Sequence, residues 1–380
     1  MQGNSLLWGV IATIFAALIS FASVPPVRVL AYKLKAIDIP TDERRMHKKP
    51  IPRLGGLAIY LGFIISALVF CEMTPLLVTV IIGGTAIVVL GVLDDIFRLK
   101  AIIKFIYQIG TAFIAVWQGV VVDQISLAGR TYVFADWVSV FITVFWIVGL
   151  TNAINLIDGL DGLSCGVSAI SAFSLLLAAV MLGDSRTLPA IMLTAILLGS
   201  CIGFLPFNIN PARIFMGDTG ALFLGYTLSV VSVGGLVKTH ALIAYVMPIL
   251  IFALPLFDTA FAFLRRIIHG HSPFEPDRGH LHHRLIDMGL NQKQTVSILY
   301  SVSAIMGLSA VLFTSQWLWK AVVVVIIGLV AFIVNFALLS NPKTREKTGI
   351  GPQVATEAPK PGSEIEQRLE NEANEKYTKK

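Results

Sequence analysis

The chain has 380 residues, of which 56% are hydrophobic and 14% charged, and its mean hydropathy is +0.78. A soluble chain carries nearer a quarter charged residues, so composition excludes an ordinary soluble domain and points to a protein embedded in a lipid bilayer. The net charge of +6 needs no nucleic-acid partner, because basic residues gathered at one membrane face serve topology and attract anionic lipid.

A membrane-crossing helix needs about 17–25 apolar residues, and about eleven such runs follow one another. In chain order they centre on Leu6–Ala22, Leu54–Phe70, Leu76–Leu93, Ile102–Val120, Trp137–Leu150 and Leu163–Leu182. Leu188–Leu205, Thr219–Leu236, Ala241–Leu264, Val296–Phe313 and Leu318–Leu339 complete the series. The first run lacks a basic leader and a small-residue cleavage site, so it is expected to be a retained span. From about Asn341 the sequence turns to Pro, Glu, Lys, Gly and Gln, which predicts a solvated, disordered tail. The expected fold class is therefore all-α: a multispan domain over 1–340 with about eleven transmembrane helices, and a polar tail over 341–380.

Lys and Arg fix the expected orientation. With the N-terminus outside and the C-terminus cytoplasmic, 25 of the 29 basic residues fall on the cytoplasmic side, leaving Arg130, Arg186, Lys238 and Lys320 outside. Every acidic cluster then shares the cytoplasmic face: Asp94-Asp95, the block Asn155-Leu156-Ile157-Asp158-Gly159-Leu160-Asp161-Gly162, and Asp218 after Met216-Gly217. So do the cationic loops, with Lys48 and Arg53 in the first and His280-Leu281-His282-His283-Arg284 in the last.

Ionisable groups at membrane depth carry a functional hypothesis because each is costly unless paired, hydrated or metal-bound. Carboxylates and an amide opposed by Lys, Arg and His suit a magnesium–phosphate site, since magnesium takes one or two carboxylates plus substrate phosphates. Each cluster also has a plainer explanation. Asp94-Asp95 could end a helix with local ion pairs, and Asp158 and Asp161 could lie in a turn. On a regular helix those two would instead sit about 60° apart and share a cavity. Asp218 could merely cap a helix. Asp258, inside an apolar run, reads as a buried interhelical hydrogen bond or as a site residue. A zinc site at the histidines would want a fourth ligand, and none is near in sequence. Cys71, Cys165 and Cys201 form no metal-binding or disulfide pattern.

Four separated motifs, together with the histidine segment, resemble the polyprenyl-phosphate N-acetylhexosamine-1-phosphate transferases. They are Pro52-Arg53-Leu54-Gly55-Gly56; Leu93-Asp94-Asp95 with Lys104-Phe105; the block from Asn152 to Leu163; and Asn208-Ile209-Asn210-Pro211-Ala212 running into Phe215-Met216-Gly217-Asp218-Thr219-Gly220. The His-x-His-His form resembles the N-acetylglucosamine branch, whereas the muramyl-pentapeptide branch looks like three contiguous histidines.

The resemblance implies transfer of N-acetylglucosamine 1-phosphate from UDP-GlcNAc to undecaprenyl phosphate, with Mg2+ (or Mn2+), at the cytoplasmic side of a bacterial inner membrane. Such transfer would start a polymer such as teichoic acid or O-antigen. It implies magnesium ligation by Asp218 and Asn155, an acceptor phosphate beside Asp94 and Asp95, and a phosphate contact at Lys104. Asp158 and Asp161 would shape the metal and diphosphate pocket. Asn208 would face the uracil, and His280, His282, His283 and Arg284 would close over the diphosphate or the sugar. Lys48 and Arg53 are expected to bind substrate from the first loop, and a homodimer fits the class. Rival expectations are another UDP-N-acetylhexosamine or UDP-MurNAc-pentapeptide donor, and an anion or lipid transporter, which no visible internal repeat supports.

Overall fold

A computed structural model describes residues 2–39, 50–127, 130–183, 187–236, 242–269 and 279–313. Lys48, the last apolar run and the tail lie outside the described residues. The helices in chain order are α1 (Gln2–Lys33), α2 (Gly56–Phe70), α3 (Pro75–Phe97), α4 (Ala101–Trp117), α5 (Asp136–Leu156) and α6 (Leu163–Leu182). They continue with α7 (Leu188–Asn208), α8 (Gly217–Val231), α9 (Leu242–Ile251), α10 (Ala253–Ile268), α11 (Leu281–Asp287) and α12 (Gln292–Phe313).

Among the described residues, six helices are long and apolar enough to cross a membrane, or seven if the pair bent by 78° at Phe252 counts as one. The expected count of eleven is therefore not reached by this measure; α2 and α4 are shorter apolar helices. The run predicted as one span over Ala241–Leu264 is broken. Pro255 has no N–H for the Ile251 carbonyl, and α9 and α10 part there.

The all-α expectation also misses two small antiparallel sheets. β1 (Ile37–Asp38) pairs with β2 (Ile51–Pro52), and β3 (Gln124–Leu127) with β4 (Arg130–Val133). The first pins the ends of the basic loop together. The second is a hairpin between α4 and α5, where β-branched and aromatic residues (Ile125, Thr131, Tyr132, Val133) favour extended chain.

The bundle is assembled around α8. Every residue of this helix except Asp218 is buried, as expected of a helix apolar on all sides. Its neighbours approach through glycines, which in lipid let backbones pack closely. A Cβ on Gly56 of α2 would lie 2.0 Å from Gly220 N, and one on Gly91 of α3 would lie 2.4 Å from Thr219 Cα. On the far side, a Cβ on Gly225 would lie 2.6 Å from Thr151 Cα of α5. α1 closes on α7 in the same way: Gly199 and Gly203 lie against the Thr13 and Ala17 carbonyls, and Ser20 Oγ donates to Ser200 O at 2.8 Å.

Because the first turn of α8 carries Asp218, this packing sets the position of that carboxylate. Gly91→Ala should push α3 off α8 and cost about 1–3 kcal/mol, the usual penalty for overpacking. It would be read as a lower thermal midpoint of the purified protein in detergent; an unchanged midpoint would contradict the close approach.

Candidate active site

The first and fourth motifs are joined backbone to backbone. Phe215 N–H donates to Pro52 O at 2.8 Å, Gly55 N–H to Phe215 O at 2.9 Å and Gly56 N–H to Met216 O at 2.8 Å. Gly217 follows with φ +70°, and a Cβ there would strike the Arg53 carbonyl and the Asp95 carboxylate. Glycine is therefore required twice over, for conformation and for space.

Asp94 and Asp95, adjacent at the end of α3, do different things. Asp95 Oδ1 accepts from Asp218 N–H at 3.1 Å, while its Oδ2 accepts from Thr219 N–H at 3.0 Å and Thr219 Oγ1 at 2.7 Å. Arg53 Nε stands 3.7 Å from Oδ1, and the Asp95 side chain is 0% exposed. This carboxylate caps the positive end of α8 from another helix; the expected place beside the acceptor phosphate does not match this burial.

Asp94 faces the other way. Its Oδ1 accepts from Leu99 N–H at 2.7 Å, across a left-handed turn at Arg98 (φ +53°), and its Oδ2 accepts from Lys104 Nζ at 3.0 Å. Lys104 Nζ also donates to Asp218 Oδ2 at 2.8 Å, so one ammonium bridges Asp94 and Asp218. Gln108, one turn further along α4, is tied to α5 by Asn152 Nδ2 at 2.6 Å. Asp218 is not a cap: its helix begins after Met216 with no side-chain cap bond.

Asn155 ends α5, and Asp158 to Gly162 form turns rather than a continued helix. The 60° argument thus gives way to the turn alternative, in keeping with the left-handed Gly162 (φ +79°). Asp161 Oδ2 accepts from Asn210 Nδ2 at 2.9 Å and Ala212 N–H at 3.1 Å, and Asn210 reaches on to Gln292 Oε1 at 2.7 Å. Asp161 thereby fastens the 208–212 loop. Burial, reinforced by the negative charge of Asp218, pushes the Asp158 carboxyl up to about 8.

A cavity of about 1060 Å³ has a lining that includes Arg28, Arg53, Asn155, Asp158, Asp161, Asn208, Asp218 and His283. Asn208 Nδ2 donates to Ile214 O at 3.1 Å, while its Oδ1 is buried without a hydrogen-bond partner among the described residues.

The histidines divide likewise. His283 lines the cavity, whereas His280 is buried against Asp258 and His282 is 2% exposed, its Nε2 without a partner among the described residues. The His282 ring lies over Gly159, where a Cβ would be 2.3 Å from Nε2. Arg284 points to a separate apolar groove between α10 and α12, over the Phe261 ring.

Among the described residues no three His, Cys, Asp or Glu side chains form a ready-made metal cage. Asp218 and Asn155 nevertheless offer hard oxygen donors to one cavity, and Asp158, on the same wall, would join them once a cation displaces its proton. That set fits magnesium, which takes few protein ligands and completes its shell with phosphates and water. It does not fit a closed zinc site.

Sequence reasoning missed Thr219, Asn210 and Gln292, which hold the site together, and Gly159, which leaves room for His282. Asn210 stood inside a quoted motif; Gln292 gave no signal.

The model of glycosyl transferase family 4 matches residues 77–236. A probable undecaprenyl-phosphate N-acetylglucosaminyl 1-phosphate transferase of Bacillus subtilis is 40% identical over 84% of this chain and 88% of its own. The chain belongs to glycosyl transferase family 4. A decaprenyl-phosphate N-acetylglucosaminephosphotransferase of Mycobacterium leprae is 33% identical over 90% of this chain and 86% of its own. An undecaprenyl-phosphate alpha-N-acetylglucosaminyl 1-phosphate transferase of Thermotoga maritima is 32% identical over 77% and 87%. This family 4 member is a multi-pass membrane protein, and its matched segment contains Asp94, Lys104, Asp158 and Asp218.

Burial holds His282 neutral down to about pH 4, whereas a free histidine titrates near 6.5. The unfolded arm therefore binds the proton first, and docking of α11 is strongest above pH 6.5 and weakens as pH falls toward 4. Amide exchange across residues 281–287 should accelerate in that window, beyond the intrinsic pH effect. A His282→Gln variant should lose most of this dependence; equal profiles for the two proteins would refute it.

Proposed function

We propose that the protein transfers N-acetylglucosamine 1-phosphate from UDP-GlcNAc to undecaprenyl phosphate, releasing UMP, as a Mg2+-dependent enzyme. The product, undecaprenyl-diphosphate-GlcNAc, would start a cell-envelope polysaccharide such as teichoic acid or O-antigen. The supporting observation is the Asp94–Lys104–Asp218 bridge, whose Asp218 lines a cavity shared by the first, third and fourth motifs. The names of the relatives and the His-x-His-His segment support N-acetylglucosamine as the sugar. The distribution of Lys and Arg supports an active site on the cytoplasmic side of a bacterial inner membrane.

In this reading the lipid acceptor enters laterally, and its phosphate takes up the Lys104 ammonium beside Asp94. That phosphate is already mostly ionised near neutral pH, so a general base is not required. Asp218 and Asn155 would hold the magnesium ion, which neutralises charge on the donor diphosphate. Arg53, Arg28 and His283 surround the same cavity and supply further positive or hydrogen-bonding groups. An acceptor oxygen then attacks the β-phosphorus in line. The bond from that phosphorus to the bridging oxygen breaks, and UMP leaves with the electron pair. Positioning and charge stabilisation carry phosphoryl transfer of this kind. A single displacement needs no residue beyond those already gathered.

Asp218→Asn should abolish release of UMP from UDP-GlcNAc while the protein still purifies as a folded species. Chelation should stop the unsubstituted enzyme reversibly, with Mg2+ or Mn2+ restoring it. Full turnover by the variant, or by the chelated enzyme, would contradict the metal assignment. A panel of labelled UDP-sugars, followed by lipid extraction, tests the donor: label should pass to lipid from UDP-GlcNAc. Transfer from UDP-MurNAc-pentapeptide in its place would overturn that choice, and transport without UMP release would overturn the enzyme reading.

Asp94→Asn and Asp95→Asn should differ. The first should lower turnover with little effect on the thermal midpoint, because it loosens Lys104 alone. The second should lower both, because it uncaps α8. Identical stability losses would argue against the division of labour.

A further inference from the structure

Asp258 sits in α10 within the apolar run Leu254–Phe263, where an ionisable group is costly unless engaged. Among the described residues, its hydrogen bonds run to the histidine arm, at His280 and Leu281. Its Oδ2 accepts from His280 Nδ1 at 3.0 Å and its Oδ1 from Leu281 N–H at 2.7 Å. Two further residues of α10, three and seven positions on and so on the same face, hold the same segment. The Phe261 ring lies beneath the guanidinium groups of Arg265 (5.6 Å) and Arg284 (6.0 Å), and Arg265 donates to Gly279 O at 2.9 Å.

The anchoring passes along the arm. With Nδ1–H given to Asp258, the His280 ring is held in one tautomer and orientation. It lies parallel to the His282 ring, within 7° at 5.8 Å between centroids. His282 in turn presses on Gly159, next to Asp158, and its Nε2 is buried without a partner among the described residues. His283, packed 4.3 Å from His282, is the member that lines the cavity.

We propose that Asp258 is a positioning residue for the transfer reaction, its carboxylate fixing the histidine arm so that His282 and His283 are presented to the Asn155–Asp161 turn and the cavity. The role rests on the transfer reaction proposed above. Sequence left Asp258 as either an interhelical hydrogen bond or a site residue; its bonds run from α10 to the start of α11, and a positioning role makes it both.

The test uses the full chain in detergent with phospholipid, comparing Asp258→Ala, Asp258→Asn and His280→Gln, and the double variant Asp258→Ala/His280→Gln. Amide exchange over residues 281–287 should quicken in Asp258→Ala while α5 and α6 stay protected. Its kcat/KM for UDP-GlcNAc should fall on the order of 10²-fold, the scale of a small misplacement of reacting groups. Asp258→Asn keeps an acceptor oxygen for Leu281 and should lie between it and the unsubstituted protein; it carries the test if the alanine variant does not fold. If Asp258 acts through His280, the double variant should be little worse than Asp258→Ala alone. Unchanged exchange in the arm, additive losses, or unchanged kcat/KM per folded molecule would each overturn the proposal. Absence of transfer by the unsubstituted protein counts against the proposed reaction, and the exchange measurement then decides the anchor by itself.

Discussion

Two carboxylate oxygens of Asp95 accept three hydrogen bonds from the first turn of α8, and the rest of the site follows from that joint. The joint exists because Gly56, Gly91, Gly217 and Gly220 remove the side chains that would keep α2, α3 and α8 apart. Asp218 projects from that same turn, so the backbone geometry fixing its N–H also fixes its carboxylate. Lys104 then completes the arrangement by joining Asp218 to Asp94. One aspartate of the adjacent pair thus caps α8, while the other holds the Lys104 ammonium against Asp218.

The same economy recurs elsewhere. Asp161 holds a loop through Asn210 and Ala212, while Asp158 and Asn155 stay at the cavity. His280 holds the arm, while His283 faces the cavity. In each case a pair of similar residues close in sequence is split between support and contact. A preorganised site needs both, because groups that are not held cannot be aimed.

Much of this was legible in the chain. The apolar runs at Leu163–Leu182 and Leu188–Leu205 appear as α6 and as all but the last turn of α7, because an uninterrupted apolar stretch in lipid has no alternative to helix. The grouping of Asp158, Asp161 and Asp218 on one cavity was also foreseeable from their shared face. Asp95's burial was not, since the identity of a carboxylate's partner depends on which helix end arrives beside it, and Asp218 is 123 positions away. The break at Phe252 hides in a long apolar run, marked by Pro248 before it and Pro255 after it. The two small sheets lie in segments too short for a period-two pattern to register.

The bend that separates α9 from α10 leaves α10 with two unlike duties. Its Asp258 and Arg265 hold the histidine arm, while Phe257, Leu264, Ile267 and Ile268 remain exposed, an apolar surface suited to hydrocarbon chains. A single sixteen-residue rod therefore couples a hydrogen-bonded polar clasp to a greasy flank, and neither can be displaced without the other.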